Sequence, residues 1–140
     1  MTPINFFVFT FAIANCGSLT LTVGHELAHR KELIHKITGN LVYSKMFYSH
    51  FIIQHIKSHH KKVATYEDPS TSRKGESIWD FLWRTFPEGY AETWNLEKNR
   101  LALVGKSPYS LENKLILWNI GHAVWLALIY CIFGNMGVMF

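Results

Sequence analysis

Two long apolar stretches bracket a charged middle. Residues 4–23 and 115–134 each supply the roughly 20 apolar residues that a helix needs to cross a bilayer. Neither residues 1–23 nor residues 115–140 contain Asp, Glu, Lys or Arg, and all 24 such side chains fall between Glu26 and Lys114. This pattern predicts an all-α integral membrane fold with spans at about 4–23 and 115–134 and an extramembrane or interfacial helical region at about 24–114, the whole forming a single membrane domain over 1–140. The first stretch carries Asn5, Asn15, Ser18 and three Thr, so the apolar part of a signal peptide is its alternative. No basic flank precedes it and no small-residue cleavage site follows, and it reads as a retained helix.

The middle alternates helical patterns with breakers. Leu41–Ile56 is apolar and aromatic but interrupted by Lys45 and His50, which predicts a helix packed at the interface rather than a third span. Tyr66 to Ser70 reads as a turn, because Pro69 lacks a backbone donor and biases Asp68 toward extended geometry. From Glu76 to Phe86, Ile78, Phe81, Leu82 and Phe86 recur at helical spacing beside Trp79 and Trp83. Such a helix rests in the headgroup region, or is an ordinary buried amphipathic helix. Pro87-Glu88-Gly89 is expected to break it, with a second helix over Tyr90–Val104 ended by Gly105 and a further start at Ser107-Pro108 leading into the second span.

Eight histidines in 140 residues bring in the chemistry. His25 and His29 are four apart, on one helix face, and so are His55 and His59. On an ideal α-helix His60 is rotated by roughly 140° from His55 and points elsewhere, toward a second metal. All-imidazole sets suit iron, zinc, copper or nickel and disfavour magnesium and calcium, so spacing alone leaves the metal open. Only 25 residues separate His29 from His55, too few for the roughly 40 of two crossings, so both clusters are expected on one side of the membrane. Arg30, Lys31, Lys36 and Lys114 beside the spans place that side in the cytoplasm, or in the matrix of a mitochondrion.

Other features narrow the function classes. The net charge of +4 comes from bases interspersed with acids near membrane segments, which fits lipid headgroups and not nucleic acid. Cys16 and Cys131 have no paired spacing and read as small apolar fillers. No glycine-rich phosphate loop is present, and Glu26, Glu67 and Asp68 do not form a two-carboxylate catalytic spacing. His122 is expected to make a hydrogen bond within the bundle, while His35 and His50 read as bystanders or as outer partners of a site.

The run Gly24-His25-Glu26-Leu27-Ala28-His29-Arg30, then Gln54-His55-Ile56-Lys57-Ser58-His59-His60, then Val63-Ala64-Thr65, Glu67-Asp68-Pro69, Thr71-Ser72-Arg73 and Gly75-Glu76-Ser77 closely resembles the membrane-bound alkane hydroxylase (alkane 1-monooxygenase) family. The resemblance is dense over about residues 24–104. Its HxxxH and HxxxHH spacings are nearer the alkane and xylene branch than fatty-acid desaturases, the distant alternative. It implies a di-iron oxygenase that hydroxylates a terminal C–H bond of a membrane-dissolved alkane with electrons from rubredoxin or a similar donor. By the same resemblance His25, His29, His55, His59 and His60 are metal ligands, and Glu26 is a carboxylate that orients an imidazole.

The sequence departs from that family in three ways. Gln54 and Ser58 stand where the second box usually has Glu and Gly, and the third and fourth histidine boxes of the family do not occur in these 140 residues. Five imidazoles are too few to fix two irons, so the chain alone is not expected to hydroxylate alkanes. Two expectations follow: a split enzyme in which another membrane chain supplies the missing ligands, or a non-catalytic oxygenase-derived structural subunit of a larger complex, possibly respiratory, holding zinc, iron or no metal. The corresponding locations are a bacterial inner membrane or an organellar, mitochondrial inner membrane.

Overall fold

The computed structural model describes residues 2–139, and every regular element among them is helical. In chain order these are α1 (Pro3–His29), α2 (Leu33–Lys45), α3 (His50–Gln54), a π turn (His55–His59), α4 (His60–Lys62), α5 (Ile78–Ala102) and α6 (Lys114–Met139). Pro3–His29 and Lys114–Asn135 are long and apolar enough to cross a membrane. The contacts divide the chain into two compact units, residues 1–47 with 120–140, and residues 48–119.

In the first unit, α1 begins on Thr2, whose hydroxyl accepts the Asn5 amide at 3.3 Å, with Pro3 in the first turn, where a missing N–H costs nothing. The polar residues of α1 are satisfied by its own backbone. Asn15 Nδ2 donates to the Phe11 carbonyl, Ser18 Oγ to Asn15 and Thr20 Oγ1 to Cys16, all at 2.7–2.8 Å, which makes them compatible with a lipid-facing helix. Phe7, Phe11 and Leu19 on α1, and Ile132 and Phe133 on α6, are more than 60% exposed, as lipid-facing residues are. Cys16 and Cys131 are free thiols, and His122 lies edge-on to Phe47 with ring centroids 5.0 Å apart.

Small residues let α1 and α2 approach closely. A Cβ added to Gly39 meets the Ala28 nitrogen and the Gly24 carbonyl oxygen, each at 3.3 Å. Both are backbone atoms of α1 that cannot swing aside. Tyr43 is buried in the same seam and donates its hydroxyl to the Leu21 carbonyl at 3.3 Å. Gly39→Ala is therefore expected to wedge the two helices apart and cost about 1–2 kcal/mol of overpacking strain, read as a lower unfolding midpoint in detergent. An unchanged midpoint would show that the seam yields freely.

The single interfacial helix expected over Leu41–Ile56 is instead two helices. α2 ends where Phe47 takes a φ of 53° and its N–H bonds the Ser44 carbonyl, a left-handed cap on the helix.

The second unit is built on α5, which runs unbroken through Pro87, a correction to the expected break. Its buried positions are Thr85, Gly89, Thr93, Glu97 and Leu101, a stripe at four-residue intervals that continues past the proline. Thr85 Oγ1 donates to the Pro69 carbonyl at 2.9 Å and Thr93 Oγ1 to the His50 carbonyl at 3.1 Å. Tertiary contacts on both sides of Pro87 thus offset the roughly 3 kcal/mol that an interior proline costs. The aromatic face is not the buried one: Trp79 and Trp83 are 69% and 81% exposed, while the buried stripe of α5 starts at Thr85.

The start expected at Ser107-Pro108 is also displaced. Residues 107–113 form turns, and α6 begins at Lys114. The reason is Asn113, fully buried, whose Oδ1 accepts the Leu115 amide at 3.0 Å, while Glu97 accepts the Lys114 amide at 3.0 Å and pairs with Arg100 at 2.7 Å. Burial alone would raise the Glu97 carboxyl, but the Arg100 guanidinium and that amide hold it below its ordinary value.

Candidate metal centre

Each unit brings histidines together. At the end of α1, His25 and His29 project from successive turns with their Nε2 atoms 3.4 Å apart and their ring centroids at 4.7 Å. Glu26, next to His25 in the chain, pairs with Arg30 at 2.8 Å, both side chains being more than half exposed.

In the second unit the chain leaves the α-helical path where the histidines occur. The backbone N–H of His60 bonds the carbonyl of His55 across a π turn. An i→i+5 turn accommodates one more residue than an α turn, so residues five apart come to stack. His60 therefore does not point away from His55 as the α-helical spacing predicts. Their Nε2 atoms are 3.0 Å apart and their centroids 4.6 Å apart. The His55 and His59 rings stack at 5.1 Å, so the widened turn gathers all three imidazoles.

His59 is held from behind. Its Nδ1 lies 2.7 Å from Asp68 Oδ2, and the Asp68 side chain has no exposed surface. An ionised carboxylate only accepts, so Nδ1 is a donor and the tautomer of the ring that leaves the lone pair on Nε2 is the one Asp68 favours. Thr71 Oγ1 donates to the same oxygen at 2.5 Å, and the Ser70 amide donates to Oδ1 at 3.0 Å. Burial pushes the Asp68 carboxyl upward, but the Thr71 hydroxyl, the Ser70 amide and His59 outweigh it and hold it below the ordinary carboxylate range. A histidine whose far nitrogen is fixed by a carboxylate is the usual outer arrangement of a metal ligand. Asp68 plays toward His59 the part expected of Glu26, and its sequence signal was its place in Glu67-Asp68-Pro69 beside the second box.

Behind the π turn lies a further polar layer that spacing did not reveal. Glu92 on α5 accepts from the Ser58 hydroxyl, from Lys62 Nζ at 2.8 Å and from Gln54 Nε2 at 3.2 Å. The hydrogen bond from Lys62 to Glu92 outweighs partial desolvation and raises the ammonium above its ordinary value. His35 pairs with Glu32 at 3.1 Å. His50 is buried between Tyr48 and Tyr90, with ring centroids at 4.7 and 5.4 Å.

The donor chemistry fits a late first-row metal ion. Two sets of imidazoles present Nε2 atoms at close quarters, and imidazole nitrogen is a donor type suited to iron or zinc.

Comparison with known proteins gives the family. The sequence model of the family described as fatty acid desaturase matches residues 2–140. Alkane 1-monooxygenase 1 of Alcanivorax borkumensis is 40% identical over 99% of this chain and 35% of its own length. Alkane 1-monooxygenase of Ectopseudomonas oleovorans is 38% identical over 89% of this chain and 31% of its own. The xylene/toluene monooxygenase hydroxylase component of Pseudomonas putida is 31% identical over 70% and 27%. The chain thus spans about a third of the length of the curated relatives it matches. With two apolar helices flanking a helical, histidine-bearing region, this all-α integral membrane protein belongs to the fatty acid desaturase family and is an alkane-hydroxylase-like member of it.

Proposed function

We propose that these 140 residues are the part of a di-iron membrane monooxygenase that carries its first five histidine ligands, His25, His29, His55, His59 and His60, with the remaining ligands supplied from outside them, on a second membrane chain. The observation that carries this reading is the π turn, which gathers His55, His59 and His60 while Asp68 fixes the outer nitrogen of His59. A structural subunit has no need of a widened turn at that position, and such turns concentrate at functional sites.

Bound iron would supply the activation of dioxygen, which no side chain can provide. The residues of this chain do the rest of the local work. The α1 pair and the π-turn set present lone pairs, Asp68 keeps the His59 proton on Nδ1, and the apolar faces of α1 and α6 meet the phase in which an alkane dissolves. The exposed Trp79 and Trp83 of α5 suit the headgroup layer, where aromatic side chains gather. The basic residues flanking the spans support a reading in which the histidines face the cytoplasm, or the matrix in a mitochondrion. There a rubredoxin-like donor delivers electrons.

Elemental mass spectrometry of the chain, purified in mild detergent together with its native partners, tests the reading. Near two irons per chain is the expected result. One zinc or one iron would mean that the histidines form a structural site, and no metal would leave a membrane scaffold.

A further inference from the structure

Gln54 precedes the π turn by one residue and is 1% exposed. Its amide nitrogen donates to Glu92 Oε2 at 3.2 Å and, at a longer 3.5 Å, to Asp68 Oδ1, while its amide oxygen accepts the Ser70 hydroxyl at 3.1 Å. An amide nitrogen has two hydrogens. Both are committed, to carboxylates on two different segments. One of these, Asp68, holds His59. The other, Glu92, holds Ser58 and Lys62. The positions facing α5 are thus 54, 58 and 62, at four-residue intervals, and the histidines occupy 55, 59 and 60 beside them.

We propose that Gln54 is a positioning residue for the histidine-bearing turn: its neutral buried amide ties Asp68 to Glu92, so that the carboxylate aligning His59 and the carboxylate anchoring Ser58 and Lys62 are set as one unit. The chemistry requires an uncharged double donor. A carboxylate at position 54 would face two others across a buried space and turn two attractions into two repulsions. An apolar side chain would leave both acceptors short of a donor. The consequence for metal binding rests on the reading of the histidines as ligands, but the coupling itself does not.

A double-mutant cycle separates the two. Gln54→Glu, Glu92→Gln and the combined variant are compared by thermal unfolding of the metal-free chain, by 15N NMR of the His59 ring, and by cobalt(II) titration with its visible bands. Gln54→Glu is expected to lower the midpoint by roughly 5–10 °C, to disturb the His59 Nδ1–H signal, to weaken cobalt binding about tenfold and to shift the cobalt bands. In the combined variant the carboxylate at position 54 gains an amide donor at position 92 but still faces Asp68, so its loss is expected to be clearly smaller than the sum of the two single losses. Losses that simply add in the combined variant, or a His59 signal and cobalt bands unmoved by Gln54→Glu, would overturn the proposal. If Gln54→Glu does not fold, Gln54→Met removes the donors without adding charge and must still disturb the His59 signal. A wild-type chain that binds no cobalt would refute the metal-centre reading, while the metal-free cycle and the His59 signal would still decide the coupling.

Discussion

Asp68→Ala is expected to weaken metal binding by about 10–100-fold, the usual cost of removing the outer partner of a histidine ligand, and to destabilise the second unit by about 3 kcal/mol. The stability loss follows from what the carboxylate leaves behind. His59 Nδ1, the Thr71 hydroxyl, the Ser70 amide and the Gln54 amide all donate to it within a space closed to water, and hydrogen bonds to a charged group contribute roughly 1.5–3 kcal/mol each, not additively. Asp68→Asn separates the two effects. The amide keeps one acceptor oxygen and the side-chain volume, so stability falls less, but an N–H facing Nδ1 favours the other imidazole tautomer and takes the lone pair from Nε2. Metal titration and thermal unfolding on both variants check this. Equal affinity in wild type and Asp68→Asn would show that His59 does not depend on Asp68 for its tautomer.

How much of this was legible in the sequence divides along the range of the interactions involved. The two long apolar helices were readable because charge is excluded from lipid over about 20 residues at a time. The closeness of His25 to His29 and of His55 to His59 was readable because residues four apart share a helix face. The π turn was not: the spacing of His55–His60 predicts an α-helix, and whether a helix admits an extra residue depends on what packs behind it, here Gln54, Ser58 and Lys62 against Glu92. The same holds for Pro87, whose local preference for ending a helix loses to a stripe of buried contacts running from Thr85 to Leu101. Likewise the start of α6 is set by Asn113 and by Glu97 from another helix, a decision no local motif records. Gln54 and Ser58 had read as separate departures from a family box, with a charge lost at the first. In space both donate to Glu92, a residue 38 positions away from the first, which restores a carboxylate to the layer behind the histidines.

Arg84→Met is expected to release the loop between α4 and α5 and, through it, Asp68. Arg84 is 12% exposed and reaches that loop at four points: Glu76 Oε1 and Oε2 at 2.7 and 2.9 Å, and the Pro69 and Thr71 carbonyls at 3.0 Å each. Those carbonyls flank the segment whose Ser70 amide and Thr71 hydroxyl hold the Asp68 carboxylate. Losing the two carbonyl bonds alone costs about 3 kcal/mol, since each has a charged donor. Part of that cost is expected to appear as local opening, seen as faster amide exchange over residues 69–76. The pH dependence identifies the ion pair. The Arg84 guanidinium, aided by the Arg73 amide, pulls the Glu76 carboxyl from its ordinary 4.5 down to about 2. A carboxyl with a lowered pKa in the folded state contributes its stabilisation in full above about pH 4.5 and loses it as the pH falls toward 2. Glu76→Gln should therefore be less stable than wild type at pH 7, with a gap that narrows between pH 4.5 and 2 and closes below. Thermal unfolding across that range reads the difference directly, and a gap that stayed constant with pH would mean that Glu76 acts by shape and not by charge. Because the Arg84 clamp and the His59 site share the Asp68 turn, Arg84→Met is also expected to weaken metal binding, although Arg84 makes no contact with a histidine that the site uses.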